Sequence, residues 1–302
     1  MQRPPCPPCP PCPPRPHRPP RPPRPPRPHR PHRSLLDYDA EAAEYDATRG
    51  GVPRAEAAAR AVLGLLPPAT RTLLDLGCGT GIVTARMARP GLRVLGADAS
   101  YGMAAAAVRR GVPVVLADAT RLPLPDRRVD AVGAVWLLHL LRAPGLAEAV
   151  VTEAARVLAP GGVFVTTVDK DAAHHVGCDV DDVLAPHLTA DPADGAWRVT
   201  AYAAAAGLRP VAEAHFTGHG QGRSPRRAAE ALLKGRYASR IAATGPAAGE
   251  LAERLLALPD PDRPRAEPRY RLLAFRRPRH PESPRLPRPG RSYTERHGMP
   301  HQ

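Results

Sequence analysis

Lysine is almost missing from this chain. Of 43 basic side chains in 302 residues, only Lys170 and Lys234 are lysine. Alanine and proline abound beside the arginines, as a GC-rich coding sequence writes them, so the arginine excess says little about partners. Cysteine is scarce too. Three of the five (Cys6, Cys9, Cys12) fall in the first twelve residues, and Cys78 and Cys178 are too few for a disulfide framework. No apolar run approaches the ~20 residues of an ordinary transmembrane helix. The longest, residues 131–141, contains His139. No apolar h-region opens the chain, so a cytoplasmic, reducing setting without membrane partners is expected. Net charge is missing from the middle. Residues 1–33 hold eight Arg and no acid, and residues 276–302 hold seven Arg against Glu282 and Glu295. The formal +14 therefore lies almost wholly at the ends, and residues 34–275 carry 28 basic and 27 acidic groups. This excludes a basic domain that grips nucleic acid.

The first 33 residues contain 17 Pro, and every third position from Arg3 to Arg33 is Arg or Cys. Such a rod has polyproline II character, with like residues ~9 Å apart along one edge. That spacing is too wide for three thiols to share one zinc and too sparse to match duplex phosphates. The segment reads as a slipped nine-nucleotide repeat, a disordered Pro/Arg-rich tail. Residues 276–302 read as a second disordered, basic tail.

Between the tails the pattern is that of one large domain. Ser34 can cap a helix that Arg49-Gly50-Gly51-Val52-Pro53 breaks, and a second helix runs to the Pro67-Pro68 stop. Strands are expected at residues 72–76, 92–97, 113–116, 130–136 and 163–168, alternating with helices to Ala88, over 100–109 and over 146–158. The alternation argues an α/β fold with a mostly parallel sheet and helices on both faces. Helical stretches at 179–188 and 200–206, a strand at 209–217, a helical insertion at 225–258 and a last strand at 269–275 bring the count to seven strands.

The strongest signal is Leu73-Leu74-Asp75-Leu76-Gly77-Cys78-Gly79-Thr80-Gly81, a strand feeding a glycine turn that opens a helix. At Asp98 a second strand ends in an acid placed to accept from ribose hydroxyls. A dinucleotide site would want G-x-G-x-x-G with pyrophosphate on the helix N-terminus. Here Ile82 stands at the third glycine position, and Asp75 would repel a pyrophosphate. A ligand with an ammonium and a sulfonium, S-adenosylmethionine, would welcome that acid.

These residues resemble the class I S-adenosylmethionine-dependent methyltransferases, within them the type 11 group that includes ubiquinone/menaquinone-biosynthesis-like enzymes. The resemblance is carried by Leu74–Gly81, by Gly96-Ala97-Asp98-Ala99-Ser100-Tyr101-Gly102-Met103, by Ala117-Asp118-Ala119-Thr120-Arg121-Leu122-Pro123, and by Val157-Leu158-Ala159-Pro160-Gly161-Gly162. It implies a Rossmann-like sheet whose last strand is antiparallel. It also implies that Gly77, Gly79 and Gly81 cradle the cofactor beside Asp75, that Asp98 binds the ribose and that Met103 packs on the adenine. Asp118 would accept from the adenine amino group next to Ala119. The segment Tyr38-Asp39 and Tyr45–Gly50 resembles the group's N-terminal stretch, which implies that Tyr45 and Arg49 close over the methionine end.

In Trp136-Leu137-Leu138-His139, just after the fourth strand, Trp136 is expected to wall the cofactor site and His139 is the candidate general base. His174 and His175 are weaker candidates. Asp169 and Asp171 are not followed by the Asp-Asn pair of a catechol-type magnesium site, so no metal is expected. The fourth strand lacks an Asn/Asp-Pro-Pro-Tyr motif and a Pro-Cys nucleophile, which disfavours nucleic-acid bases as acceptors. A small organic acceptor is expected. Two rival readings stay open: an NAD(P)-dependent oxidoreductase, and a non-catalytic S-adenosylmethionine-binding module with nucleic-acid-binding tails.

Overall fold

A computed structural model describes residues 38–188, 192–235, 241, 243 and 245–279. The expectations for the Pro/Arg rod, for Ser34 and for residues 280–302 lie outside these residues. Seven strands form one sheet in the order β3-β2-β1-β4-β5-β7-β6. They are β1 Thr72–Leu76, β2 Arg93–Asp98, β3 Val114–Leu116, β4 Val129–Ala134, β5 Leu158–Val168, β6 Arg209–Thr217 and β7 Arg269–Arg276. β1 to β5 pair in parallel, and β7 runs antiparallel between β5 and β6. The order reverses between β1 and β4, which opens the crevice at their carboxyl ends where α/β sheets bind ligands.

The helices are α1 Tyr38–Glu41, α2 Tyr45–Thr48, α3 Gly51–Leu65, α4 Thr84–Met87, α5 Tyr101–Arg109, α6 Leu146–Val157, α7 Asp179–Leu184, α8 Ala196–Ala205, α9 Pro225–Leu233 and α10 Pro246–Leu256. They cover both faces of the sheet. On one, Val150, Val151, Ala154 and Val157 of α6 recur at helical spacing and bury with Leu74, Val132 and Phe164. On the other, Ala55, Ala58, Ala59 and Val62 of α3 bury with Leu73, Val165 and Leu272. The insertion between β6 and β7 packs its own small core, with Ala228 and Leu232 of α9 against Leu251 and Leu255 of α10. Ser100 caps α5 by accepting from Met103 N at 3.1 Å, and Ser224 caps α9 ahead of Pro225. No helix among the described residues is long and apolar enough to cross a membrane.

Four elements differ from expectation. The helix after the glycine turn is a single turn ending at Met87, because the loop runs on to Val83 and Pro90 closes the way ahead. β5 starts at Leu158 rather than Val163. Leu158 pairs with Val129 across a register shift, so Pro160 and Gly161 sit in a bulge. The first helical segment is two separate turns, α1 and α2. β7 extends to Arg276, and Arg277 Nη1 donates to Ala155 O and Leu158 O at 2.5 and 3.0 Å. Arg276 and Arg277, expected in the tail, are part of the fold.

Asp130 ties the start of β1 to β4. Its Oδ2 accepts from Arg71 N, Thr72 N and Thr72 Oγ1 at 2.9–3.0 Å. Asp130→Ala leaves these donors unpaired and is expected to cost about 2–3 kcal/mol, read as a lower urea midpoint at unchanged m. A midpoint equal to wild type would show that the clamp carries no stability.

Candidate active site

The chain leaves β1 through three glycines with positive φ: Gly77 at 64°, Gly79 at 56° and Gly81 at 74°. Gly77 N and Cys78 N both donate to Ala97 O, at 2.8 and 3.1 Å, so the loop wraps the end of β2. The glycines serve different ends. A Cβ on Gly81 would lie 2.8 Å from Ala107 Cβ of α5, whereas a Cβ on Gly79 would meet nothing within 4 Å. Gly81 is demanded by packing, and Gly79 leaves an open cradle.

Asp98 fastens this loop. Its Oδ2 accepts from Gly79 N at 2.8 Å and its Oδ1 from Ser100 N at 2.9 Å. Burial still pushes its pKa upward. At the end of β3, Asp118 Oδ1 accepts from both the amide and the hydroxyl of Thr120 at 2.8 Å. Leu122 N in the same loop donates to Glu153 of α6 at 2.6 Å. Met103 is buried on α5, and Ala119 packs against the core beneath. The cysteine in the loop is a packing residue. Its thiol is pushed up by burial and fills the space where a Cβ on Gly96 would stand.

Asp75 behaves differently from the expected ligand contact. It is buried beneath the loop, and its Oδ2 accepts from Thr84 Oγ1 at 2.6 Å. Burial pushes its pKa up to about 7. The unfolded chain sheds this proton near pH 3.9, so the folded state holds more protons between about pH 4 and pH 7, and stability falls as pH rises through that window. Asp75→Asn keeps the shape without the charge. It is expected to raise Tm by several degrees at pH 8 and to change it little at pH 4. A variant equally or less stable at pH 8 would contradict the raised pKa.

The segment 38–50 straps across these loops. Asp39 Oδ1 accepts from Ser100 Oγ and Gly102 N at 2.6 and 2.8 Å, which holds its pKa down. Asp46 accepts from Thr80 Oγ1 and Arg110 Nη2, both at 2.5 Å. Tyr45 packs edge-on to Tyr38 and lies under the Arg49 guanidinium, 5.4 Å from ring centroid to Cζ, while Arg49 reaches Glu41 at 3.5 Å. Tyr45 and Arg49 line a cavity of about 10 Å³ with Arg54, Val83 and Trp136. Trp136, two residues after β4, takes a positive φ of 56° and donates its backbone N–H to Thr167 Oγ1 at 2.7 Å. Sequence reasoning gave no role to Asp39, Arg54, Thr80, Thr84 or Arg110 here. Asp39 and Thr80 lay inside motifs, and the other three did not.

His139 sits on a 3₁₀ turn, Leu138–Leu140, and walls a cavity of about 880 Å³ with Leu141, Pro144, Asp171, His175 and Tyr202. Its Nδ1 is buried with no hydrogen-bond partner among the described residues. Burial first, then the charges of Lys170, Arg54 and Arg49, hold its pKa well below the usual histidine range, so the ring is neutral. His175 lines the same cavity. His174 does not: its Nε2 meets Tyr270 Oη at 3.1 Å. Asp169 accepts from Ala196 N at 2.9 Å, and Asp171 pairs with Lys170 at 3.1 Å.

Residues 74–166 match the family model of a methyltransferase domain. The demethylmenaquinone methyltransferase of Mycolicibacterium paratuberculosis is 41 % identical over 108 residues, 36 % of this chain and 45 % of that protein. The Mycobacterium tuberculosis protein of the same name is 42 % identical over 90 residues, 30 % of this chain and 37 % of that one. The match thus spans less than half the length of these relatives. Among solved structures, the [4+2]-cyclase SpnF superposes with a TM-score of 0.52 at 22 % identity, covering 80 % of this chain and 93 % of that one. A chain of the complex between the Haloferax volcanii Trm112 methyltransferase activator and a methyltransferase gives 0.51 at 18 %, covering 82 % and 96 %. At these identities the likeness is one of fold. The local match to the family model falls on the glycine loop and the strand-end acids of that fold. Over residues 74–166 the chain is therefore similar to the methyltransferase-domain family, on a fold it shares with solved methyltransferase-like structures.

Proposed function

We propose that the whole chain is a cytoplasmic enzyme that transfers the methyl group of S-adenosylmethionine to a small organic acceptor. The observation that carries this reading is the open cradle at Gly79 with the Asp98 carboxylate bonded to its amide. The cofactor, when bound, supplies a methyl group on a sulfonium that is already a good leaving group. What the chain must add is mainly position, worth up to ~7–11 kcal/mol. Asp98 accepts from ribose hydroxyls through the lone pairs its two backbone bonds leave. Asp118 accepts from the adenine amino group, with Met103 and Ala119 against the ring. Gly77 and Gly81 shape the loop, and Asp75 steadies it from beneath through Thr84. Tyr45 and Arg49 close the methionine end beside Trp136, and His139 receives a proton from the acceptor.

The cavity beside His139 is of a size that takes a drug-sized organic molecule. Demethylmenaquinone, named in the mycobacterial relatives, is the first acceptor to assay. The methyltransferase unit is read as residues 34–275, continued by Arg276 of β7 and by Arg277, with the two tails outside it.

Calorimetry on the full chain is expected to show binding of S-adenosylhomocysteine and none of NAD⁺. Asp98→Ala, which removes a charged acceptor worth about 1.5–3 kcal/mol, should weaken the nucleoside about 10- to 150-fold. Incubation with methyl-labelled cofactor and a metabolite extract should then yield a labelled small molecule. Preferential binding of NAD⁺ would replace this reading with the oxidoreductase.

A further inference from the structure

The charges of residues 34–275 nearly cancel in number but not in place. An arginine stands at the end of six of the seven strands, on the side of the sheet away from the crevice. Arg71 precedes β1, Arg93 opens β2, Arg128 precedes β4, Arg209 opens β6 and Arg276 closes β7. β5 has Arg279, whose Cγ and Nε lie 3.1 Å from where a Cβ on Gly161 would stand. All six are exposed. Backbone bonds make the row continuous. Arg93 N donates to Arg71 O at 2.8 Å, Arg71 N to Asp130 at 2.9 Å, Arg128 N to Val157 O at 2.7 Å and Gly161 N to Arg277 O at 3.0 Å. Arg276 and Arg209 face each other across β7 and β6, an unfavourable pairing of like charges.

Counter-charge is scarce at this end. The segments that enter these strands (66–71, 88–92, 110–113, 125–128 and 206–208) and the exit at 277–279 hold one acid, Asp126. Asp126 and Glu153 both pair with Arg156, and Asp130 is committed to the clamp on β1. Among the described residues, no ion pair involves Arg71, Arg93, Arg128, Arg276 or Arg279. Helix dipoles account for Arg277, which caps α6 through Ala155 O and Leu158 O. Arg71, Arg93 and Arg128 stand at strand starts, beyond the last helical turns where that effect acts.

We propose that this end of the sheet binds the phosphate backbone of double-stranded nucleic acid. Five strand spacings separate β2 from β6, about 24 Å. One strand of a duplex sets about seven phosphates along that length, so six guanidiniums meet them nearly one for one. The ~9 Å repeat of the N-terminal Pro/Arg segment does not. A guanidinium fork suits phosphate oxygens. An anionic lipid surface would draw arginines in by number and gain nothing from their alignment. The exposed aromatics that could anchor in a lipid interface or stack on unpaired bases, Tyr101 and Trp197, open α5 and α8 at the crevice end instead. β1 puts about 17 Å between the row and the glycine loop, so the duplex is a docking partner and not the methyl acceptor.

The test is fluorescence anisotropy of a labelled DNA duplex of about 20 base pairs with the full chain, from about 50 to 200 mM salt. Both tails stay in place, so a loss belongs to the row. Arg71→Gln/Arg93→Gln/Arg128→Gln is expected to flatten the slope of log affinity against log salt by about 2.7 and to weaken binding at least tenfold. Tm should hold, because the Asp130 clamp uses the Arg71 backbone. Arg209→Gln/Arg276→Gln/Arg279→Gln, at the other end of the row, should do the same and serves if the first variant does not fold. Arg60→Gln/Arg227→Gln/Arg254→Gln removes three exposed charges from α3, α9 and α10 and should leave the slope as it is. An unchanged slope in both row variants, or equal flattening by the variant on α3, α9 and α10, overturns the proposal. So does wild-type protein that leaves the duplex free at low salt. Sedimentation with phosphatidylserine vesicles is the second arm: row variants that lose the vesicles and keep the duplex overturn it in favour of a lipid surface.

Discussion

Changing His139 to alanine is expected to cut methyl transfer at least a hundredfold while leaving the affinity for S-adenosylhomocysteine within twofold of wild type. The magnitude is that of a general base removed from its position. The ring is suited to the role because burial, and then three cationic side chains, keep it neutral. Its Nδ1 is buried without a partner among the described residues, a condition that costs about 1–3 kcal/mol. Because His139 titrates well below the usual range, the rate should be flat with pH from about 6.5 to 8 and fall only on the acid side, as the ring gains its proton. A variant that keeps more than a third of the wild-type rate with the same pH profile would remove His139 from the mechanism.

Gly81→Val should lower stability by about 2–5 kcal/mol. A left-handed backbone costs an L-residue about 1–2 kcal/mol, and the new side chain would press on Ala107 and Val112, adding about 1–3 kcal/mol of overpacking. Gly79→Ala carries the backbone cost alone, since its Cβ points into open space. It should fold at about 1–2 kcal/mol below wild type and lose cofactor affinity. Urea unfolding separates the two. If Gly81→Val unfolds at the wild-type midpoint, the loop does not pack on α5 as described.

These two glycines mark how far the sequence could be read. Positive φ was legible at both, because a strand running into Gly-x-Gly-x-Gly admits few other backbones. That one glycine faces a helix and the other faces the crevice depends on where Ala107 lies, and spacing alone does not place it. Asp98 and Asp118 were legible for the same local reason, each standing where a parallel strand ends. Asp75 was located correctly beside the loop but not its direction: a strand buried on both faces gives no polarity cue, and Thr84 decides which way the carboxyl turns. Arg54 had no signal at all. In an alanine-rich helix after a proline it reads as a solvated charge, and its burial is imposed by Trp136, 82 positions downstream. The strap was legible as a motif, through Tyr38-Asp39 and Tyr45–Gly50, but its contacts were not. Asp39 and Asp46 look like ordinary first-turn acids until α5 and Thr80 are folded against them.

The large cavity draws its walls from the chain after β4: the turn at His139, the segment after β5, and the residues around α7 and α8. The glycine loop, the strand-end acids and the strap all come before it. The cavity wall and the glycine loop are thus written in separate stretches of the gene. On the proposed cofactor reading, the later stretch is free to drift, lengthen or be exchanged while the earlier one answers to an unchanging nucleoside. That division makes a graft practical. Residues from Leu141 onward could be replaced by the corresponding half of a relative to change what is methylated, with the nucleoside-binding half left as it stands.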